Sequence, residues 1–249
     1  MRIDLNCDLG EGTGTDAELM PLISSANIAC GGHAGDVGTM KAAVELAHRH
    51  GVSIGAHPGF ADREGFGRRE QAVDVRAVRA LVIDQIRALQ TIAEACGSRL
   101  THVKPHGALY NMAARDALLA RGVAEAVRDC DSALVLVGLA DSHLIAESRT
   151  CGLAAAAEGF ADRRYMPDGS LVPRSQSGAI LDNEADVEAQ ALGLARDGRV
   201  VCADGTSRAI RADTLGVHGD GPRAVQSLRA IRAAFAKAGI SVRSLVELS

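Results

Sequence analysis

The chain has 249 residues, 47% of them hydrophobic, and a formal net charge of −4 at pH 7. That length suits one α/β barrel domain with a large core, and the hydrophobic content sets the chain apart from disordered sequences. The acidic balance argues against non-specific nucleic-acid binding, and charges interrupt every apolar stretch before it reaches membrane-spanning length.

Met1-Arg2-Ile3-Asp4 enters a strand-like run at once, so no signal peptide is expected. The six cysteines, at 7, 30, 96, 130, 151 and 202, show no CxxC or zinc-type spacing. Free thiols in a reducing cytoplasm are the expectation. Aromatics are scarce, with two Tyr, four Phe and no Trp, so Ala, Val and Leu must fill the core and base stacking is disfavoured.

Strand-like and helix-like segments alternate throughout. Residues 2–8 alternate at period two and meet Gly10 and Gly12. A short strand over 25–29 precedes a helix over 39–50, with Met40, Ala43, Val44 and Ala47 at helical spacing and a stop at Gly51. A strand over 52–56 leads into a Gly- and Arg-containing loop over 58–70. The longest helix, 74–96, carries Val78, Leu81, Val82, Ile86, Leu89 and Ala93 on one stripe. Strand 101–104 ends at Pro105, and one helix is expected from there to about 127. Strand 133–137 is wholly apolar, as befits a parallel strand covered on both faces. A helix over 141–150 and a strand over 153–157 follow, then a long loop over 165–183 of the kind that forms lids or partner surfaces. Helix 184–196, a hairpin of 200–202 with 209–211, strand 215–218 and helix 222–238 complete the series.

The alternation has no break, repeat or linker, and predicts one domain over 1–249 with about seven main strands. Nearly every strand ends in an ionisable residue, which favours a closed (β/α) barrel over a doubly wound sheet with its chemistry at one switch point. No GxGxxG follows the first strand and there is no Walker A motif.

Asp4, Asn6 and Asp8 share one face of the first strand, with Leu5, Cys7 and Leu9 on the other. Three polar residues facing a barrel interior cost several kcal/mol unless partnered. Asp8 and Glu11 suit metal binding, general-base work or the holding of a lysine. Asn27, His33 and Asp36 follow the second strand, and Asp36 suits a helix cap equally well. His57, fixed by Pro58, joins His33 as a candidate for proton transfer or metal ligation. Lys104-Pro105-His106-Gly107 sets a cation for an anionic substrate or oxyanion beside an acid–base histidine, with Tyr110 and Asn111 one turn further on. Glu158, Asp162, Arg163 and Arg164 mix both charge signs, and either arginine suits a carboxylate clamp. Asp220 is placed to orient His218. The basic loop Gly65-Phe66-Gly67-Arg68-Arg69 fits substrate, phosphate or partner. Cys7 reads as core, and Cys30 as a weak nucleophile candidate.

DLNCDLGEG, SANIACGGHAGD, GAHPGF, GFGRR, VKPHGALYN, EGFADRRY and HGD together resemble the LamB/YcsF family, also described as the A component of ATP-hydrolysing 5-oxoprolinase. The resemblance runs from residue 3 to beyond 238. It implies a distorted (β/α) barrel similar to NodB-like deacetylase and glycoside-hydrolase barrels. It also implies ATP-driven cleavage of 5-oxo-L-proline to L-glutamate with partner subunits B and C. On this reading catalysis falls to Asp8, His33, His57, Lys104, His106 and His218. Substrate binding falls to Asp4, Asn6, Glu11, Asn27, Asp36, Tyr110, Glu158, Asp162, Arg163 and Asp220. ATP is the implied cofactor, expected on a partner or at an interface, with a divalent ion either beside it or in the site. Thr13, Gly32, Gly216 and Gly221 depart from the family pattern and bear on pocket lining. A metal-dependent deacetylase-like hydrolase holding its ion on Asp8, His33 and His57, and a non-catalytic substrate-binding subunit, are the alternatives; a homo-oligomer stays open.

Overall fold

The computed structural model describes residues 1–248. In chain order the main elements are β1 (Arg2–Leu9), α1 (Asp16–Leu19), β2 (Ser25–Ala29), α2 (Val37–His50), β3 (Ser53–His57), α3 (Val75–Ala95), β4 (Leu100–Val103), α4 (Gly107–Arg115), α5 (Ala117–Cys130), β5 (Val135–Leu139), α6 (His143–Thr150), β6 (Ala155–Phe160), α7 (Glu184–Leu192), β7 (Arg199–Val201), β8 (Ser207–Ala209), β9 (Thr214–Val217), α8 (Ala224–Lys237), β10 (Ser241–Val242) and α9 (Leu245–Leu248). Strands β1 to β6 and β9 are all parallel, and β9 bonds both β6 and β1, closing a seven-stranded barrel. β10 adds outside the first residues of β1, and β7 with β8 forms an antiparallel ribbon off the barrel.

The hydrophobic pattern explains the helical jacket. Val78, Val82, Ile86, Leu89 and Ala93 form the buried stripe of α3, each large side chain contributing roughly 1.5–3 kcal/mol by leaving water. Where one helix is expected after residue 105 there are two. Asp116 breaks the run, its carboxylate accepting from the backbone N–H of Leu118 and Leu119 to cap α5. Strand β6 begins two residues later than its apolar pattern suggests and extends through Phe160, so Glu158 lies inside the barrel wall and not beyond it.

The barrel interior is polar, as the period-two alternation of β1 requires. Leu5, Cys7 and Leu9 are buried among the apolar residues between strands and helices. Asp4, Asn6 and Asp8 face the interior and are buried too, each with partners from other strands. Lowest lies Asp4, which accepts from the hydroxyls of Ser24 (2.8 Å), Ser25 (2.6 Å) and Thr214. Above it Asn27 donates to Asn6 Oδ1 (2.7 Å) and to Asp8 Oδ1 (2.8 Å), and its own Oδ1 lies 3.0 Å from His102 Nε2. Every one of these groups is hydrogen-bonded, which removes the cost of burying them.

The His102 ring fits only because Gly55 opposes it on β3: a Cβ at Gly55 would overlap the imidazole. The ring is held on both sides, by Asn27 and by Thr101 Oγ1 at 2.9 Å, and has nowhere to move. Gly55→Ala is therefore expected to lower the unfolding free energy by about 2–3 kcal/mol, read from denaturant midpoints; an unchanged midpoint would show that the interior can repack.

Candidate active site

The C-terminal ends of the strands hold three linked groups of side chains. At the centre, Lys104 Nζ lies 3.0 Å from Asn6 Oδ1, 3.0 Å from Asp8 Oδ1 and 2.8 Å from Glu158 Oε1, so all three ammonium protons are used. Glu158 accepts in addition from Asn6 Nδ2 (3.0 Å) and from the Tyr110 hydroxyl (2.7 Å). All its partners are donors. Burial disfavours charge on Asp8, but the positive charges of His57 and Lys104 hold its carboxyl well below the usual range. Burial also opposes charge on Lys104, yet Asp8 and Glu158 raise its pKa above the ordinary lysine value.

The second group is a histidine cluster. His57 Nδ1 donates to Lys104 O (2.6 Å) and His106 Nε2 donates to Phe66 O (2.8 Å). The inner nitrogens, His57 Nε2 and His106 Nδ1, face each other at 3.0 Å. Two lone pairs repel at that distance, so a proton or a cation must lie between them. Asp8 Oδ2 is 3.5 Å from His57 Nε2, ready to balance the charge. His33 stacks flat on His106, with centroids 3.6 Å apart, and its Nε2 lies 3.2 Å from Glu11 Oε1. His33 Nδ1 is buried without a partner. Burial, then the charge of His57, holds His33 down to about 3, and the same two causes hold His106 well below the usual histidine range. Burial and the Asp8 and Asp220 carboxylates push Glu11 up to about 9.

The third group is His218 with Asp162. Asp162 Oδ2 accepts from the His218 backbone N–H (3.0 Å) and lies 2.9 Å from its Nδ1. Burial works against this carboxylate, but His218 outweighs it and holds Asp162 down to about 2. The His218 ring stacks on Phe160, which leaves Nε2 as its open nitrogen. Asp8, His57, Lys104, His106, Phe160 and His218 all line a cavity of about 930 Å³, walled on one side by residues 166–176 of the long loop.

Several sequence expectations need correction. Asp36 does not join the site: it is exposed and caps α2, accepting from Thr39 N (2.8 Å). Asp220 does not orient His218; it pairs with Arg68 at 2.5 Å, and Asp162 takes the orienting place. Arg163 is not free to clamp a ligand, because its guanidinium donates to Val172 O (2.6 Å) and Ala179 O (3.3 Å) and ties down the long loop. Asp4 is at the barrel floor, bonded to hydroxyls, and does not line the cavity. The cation cluster comprises Glu11, His33, His57 and His106, whose ligand atoms lie within 4.8 Å of one another, with Asp8 turned to Lys104. Burial pushes Cys30 up to about 12, which removes it as a nucleophile. Two further residues stand beside this constellation. His102 stands two positions before Lys104 on the same strand face, a signal the alternation contained. Arg174 carries no local signal at all.

A closed parallel barrel whose strand ends gather histidines, carboxylates and a lysine around one cavity defines a (β/α)-barrel protein with its functional site at the usual face. A family model described as the LamB/YcsF family matches residues 3–249, and the chain belongs to that family. The crystal structure of a lactam utilization protein from Thermus thermophilus is 45% identical, with a TM-score of 0.92 over 98% of this chain and 100% of that one. Two more distant structures share the fold alone. One is a putative cellobiose-phosphate cleavage protein from Enterococcus faecalis, with 12% identity and a TM-score of 0.61 over 100% of this chain and 98% of that one. The other is the peptidoglycan deacetylase PdaC from Bacillus subtilis, with 13% identity and a TM-score of 0.51 over 99% of this chain and 88% of that one. No helix among the described residues is long and apolar enough to cross a membrane.

Two measurements test the electrostatics. Lys104→Met leaves Asp8 and Glu158 buried without their counter-charge, and is expected to cost about 3–5 kcal/mol of stability; a loss below about 1 kcal/mol would mean the pair is not held in this way. Asp4 sits fully buried with its pKa raised by desolvation, against the pull of its hydroxyl partners, from 3.8 to about 6. A carboxyl whose folded pKa is raised binds its proton more tightly in the native state, so stability falls as pH climbs from about 4 to about 6. The unfolding free energy of the wild type is expected to drop by about 3 kcal/mol relative to Asp4→Asn across that window, and parallel curves would refute it.

Proposed function

We propose that the chain is the lactam-binding barrel subunit of an ATP-dependent 5-oxoprolinase, cleaving 5-oxo-L-proline to L-glutamate together with subunits B and C. The reading is carried by the ionisable floor of the cavity in a chain that is 45% identical, end to end, to a lactam utilization protein. A lactam resists hydrolysis because amide resonance must be broken. Transfer of the γ-phosphoryl group of ATP to the amide oxygen releases ADP and gives an imidate that water can attack at the ring carbon. Cleavage of the C–N bond then frees the amine of glutamyl phosphate, and a second water releases phosphate. ATP balances the reaction, and its place is assigned to the interface with a partner subunit.

The chain's own residues supply the hydrolytic half. Lys104, locked by three oxygens, fixes the orientation of Asp8 and keeps it ionised. Asp8 Oδ2, 3.5 Å from the His57 ring and on the cavity edge, is the carboxylate placed to take a proton from attacking water. His218, fixed at Nδ1 by Asp162, presents Nε2 as the acid for the departing ring nitrogen. Tyr110 holds Glu158 in place and keeps its own proton, since burial and Glu158 raise its pKa.

The histidine cluster favours a second reading, a metal-assisted hydrolase. The donor set of three imidazoles and one carboxylate suits a zinc-like ion. The outer nitrogens of His57 and His106 are anchored on backbone carbonyls, the usual support of ligating histidines. Glu11, His33, His57 and His106 would hold the ion, which would supply a Lewis acid and an acidified water.

Reconstitution with subunits B and C, scored by ATP-dependent glutamate release, tests both readings. His218→Ala and Asp8→Asn are each expected to lower kcat by about 10²–10⁴-fold, and wild-type rates from either would refute these roles. Full activity of chain purified free of metal, with magnesium as the sole added ion, supports the first reading. A stoichiometric ion lost in His106→Ala, with activity, supports the second.

A further inference from the structure

We propose that Arg174 is the binding residue for the carboxylate of a small cyclic-amide acid, held at the wall of the cavity that His218 and Lys104 also line. This rests on the lactam reading of the cavity and deepens it by naming the anion-binding residue.

Charge accounting around the cavity leads there. The cations lining it are Arg68, Lys104, Arg115, Arg163, Arg174 and Arg208. Five already have acceptors. Lys104 spends all three protons on Asn6, Asp8 and Glu158. Arg163 is tied to Val172 O and Ala179 O. Arg68 pairs with Asp220, Arg115 with Glu70, and Arg208 donates through Nη1 to Pro167 O, its Nε being buried without a partner. Arg174 alone makes no hydrogen bond or ion pair among the described residues. It is nevertheless half-buried, and desolvation together with the neighbouring Arg68 guanidinium lowers its pKa against the weaker pull of Asp220, Asp162 and Asp8. Its nitrogens keep contact with solvent and have no acceptor in the protein, so this guanidinium is free to take an anion arriving in the cavity. The planar fork of arginine matches a carboxylate with two parallel bonds, which a saturated lysine ammonium cannot offer.

The surrounding chain supports the assignment. Arg174 lies on the long loop, between Val172 and Ala179, whose carbonyls Arg163 grips from below. The buried arginine thus acts as a fixed anchor, and the neighbouring one is left to face ligand. A cyclic amide bound by its carboxylate at Arg174 sets its ring in the cavity shared by His57 and His218.

Calorimetry on the full chain with 5-oxoproline, 2-pyrrolidone and inorganic phosphate tests this. The two cyclic ligands differ only in the carboxylate. Arg174→Gln is expected to weaken 5-oxoproline binding by roughly 30-fold or more while leaving 2-pyrrolidone within about 2-fold, with Arg174→Lys recovering part of the loss. The unfolding midpoint is expected to stay unchanged, since no internal contact is removed. Wild-type 5-oxoproline affinity in Arg174→Gln, or equal losses for both cyclic ligands, would overturn the assignment and leave the lactam reading standing. Arg174-dependent binding of phosphate without 5-oxoproline would also overturn it, giving the residue to a phosphoryl group. A wild-type chain that binds neither cyclic ligand would refute the lactam reading itself, and this assignment with it.

Discussion

The contact on which the rest of the site depends is the Lys104 ammonium inside the barrel, shared among Asp8, Glu158 and Asn6. Strands β1 and β6 and the end of β4 meet at this nitrogen. Two carboxylates and one lysine leave the group one negative charge in excess. The proton or cation required between His57 and His106 supplies the balance, 3.5 Å from Asp8. Asp8 therefore couples the lysine group to the histidine cluster, with Oδ1 on Lys104 and Oδ2 3.5 Å from His57 Nε2.

The same contact explains why the barrel tolerates a polar interior. Buried ions survive only when every donor and acceptor is met. Asn6 and Asn27 serve this need, each using its amide both to donate and to accept between charged neighbours. Their role is to carry the hydrogen-bond pattern from the hydroxyls around Asp4 up to the lysine. An apolar interior would stabilise the barrel as well, but it would leave nothing to fix Asp8 in one orientation.

How much of this the sequence reveals depends on the distance over which a signal acts. Period-two alternation in β1 is local, and it places Asp4, Asn6 and Asp8 inward correctly. The same rule applied to β4 points to His102, two positions before Lys104. Asp36 is also a local case: a carboxylate three residues before Thr39 forms a capping box, and that arrangement holds it at the surface. Pairings between loops have no such rule. Asp162 and Asp220 both stand near a histidine or arginine in sequence, and only the folded path of the loops decides that Asp162 takes His218 and Asp220 takes Arg68. Arg163, expected as a clamp, instead anchors the long loop for the same reason, since nothing local tells an anchoring arginine from a free one.

The long loop illustrates how the fold converts such non-local contacts into a site. Its backbone has little regular structure, so its carbonyls need partners from elsewhere. Arg163 meets Val172 O and Ala179 O, and Gln190 from α7 meets Phe160 O and Arg163 O at 2.7 and 2.6 Å. The Tyr165 hydroxyl accepts from Phe160 N at 2.6 Å, tying the loop's start to the end of β6. These contacts fix the end of β6 and the loop as one piece, so Phe160, which stacks on His218, and the cavity wall keep a constant relation to the strand ends. A cavity built this way needs no closing motion to assemble its charges. Its selectivity then comes from which charges are already satisfied before a ligand enters.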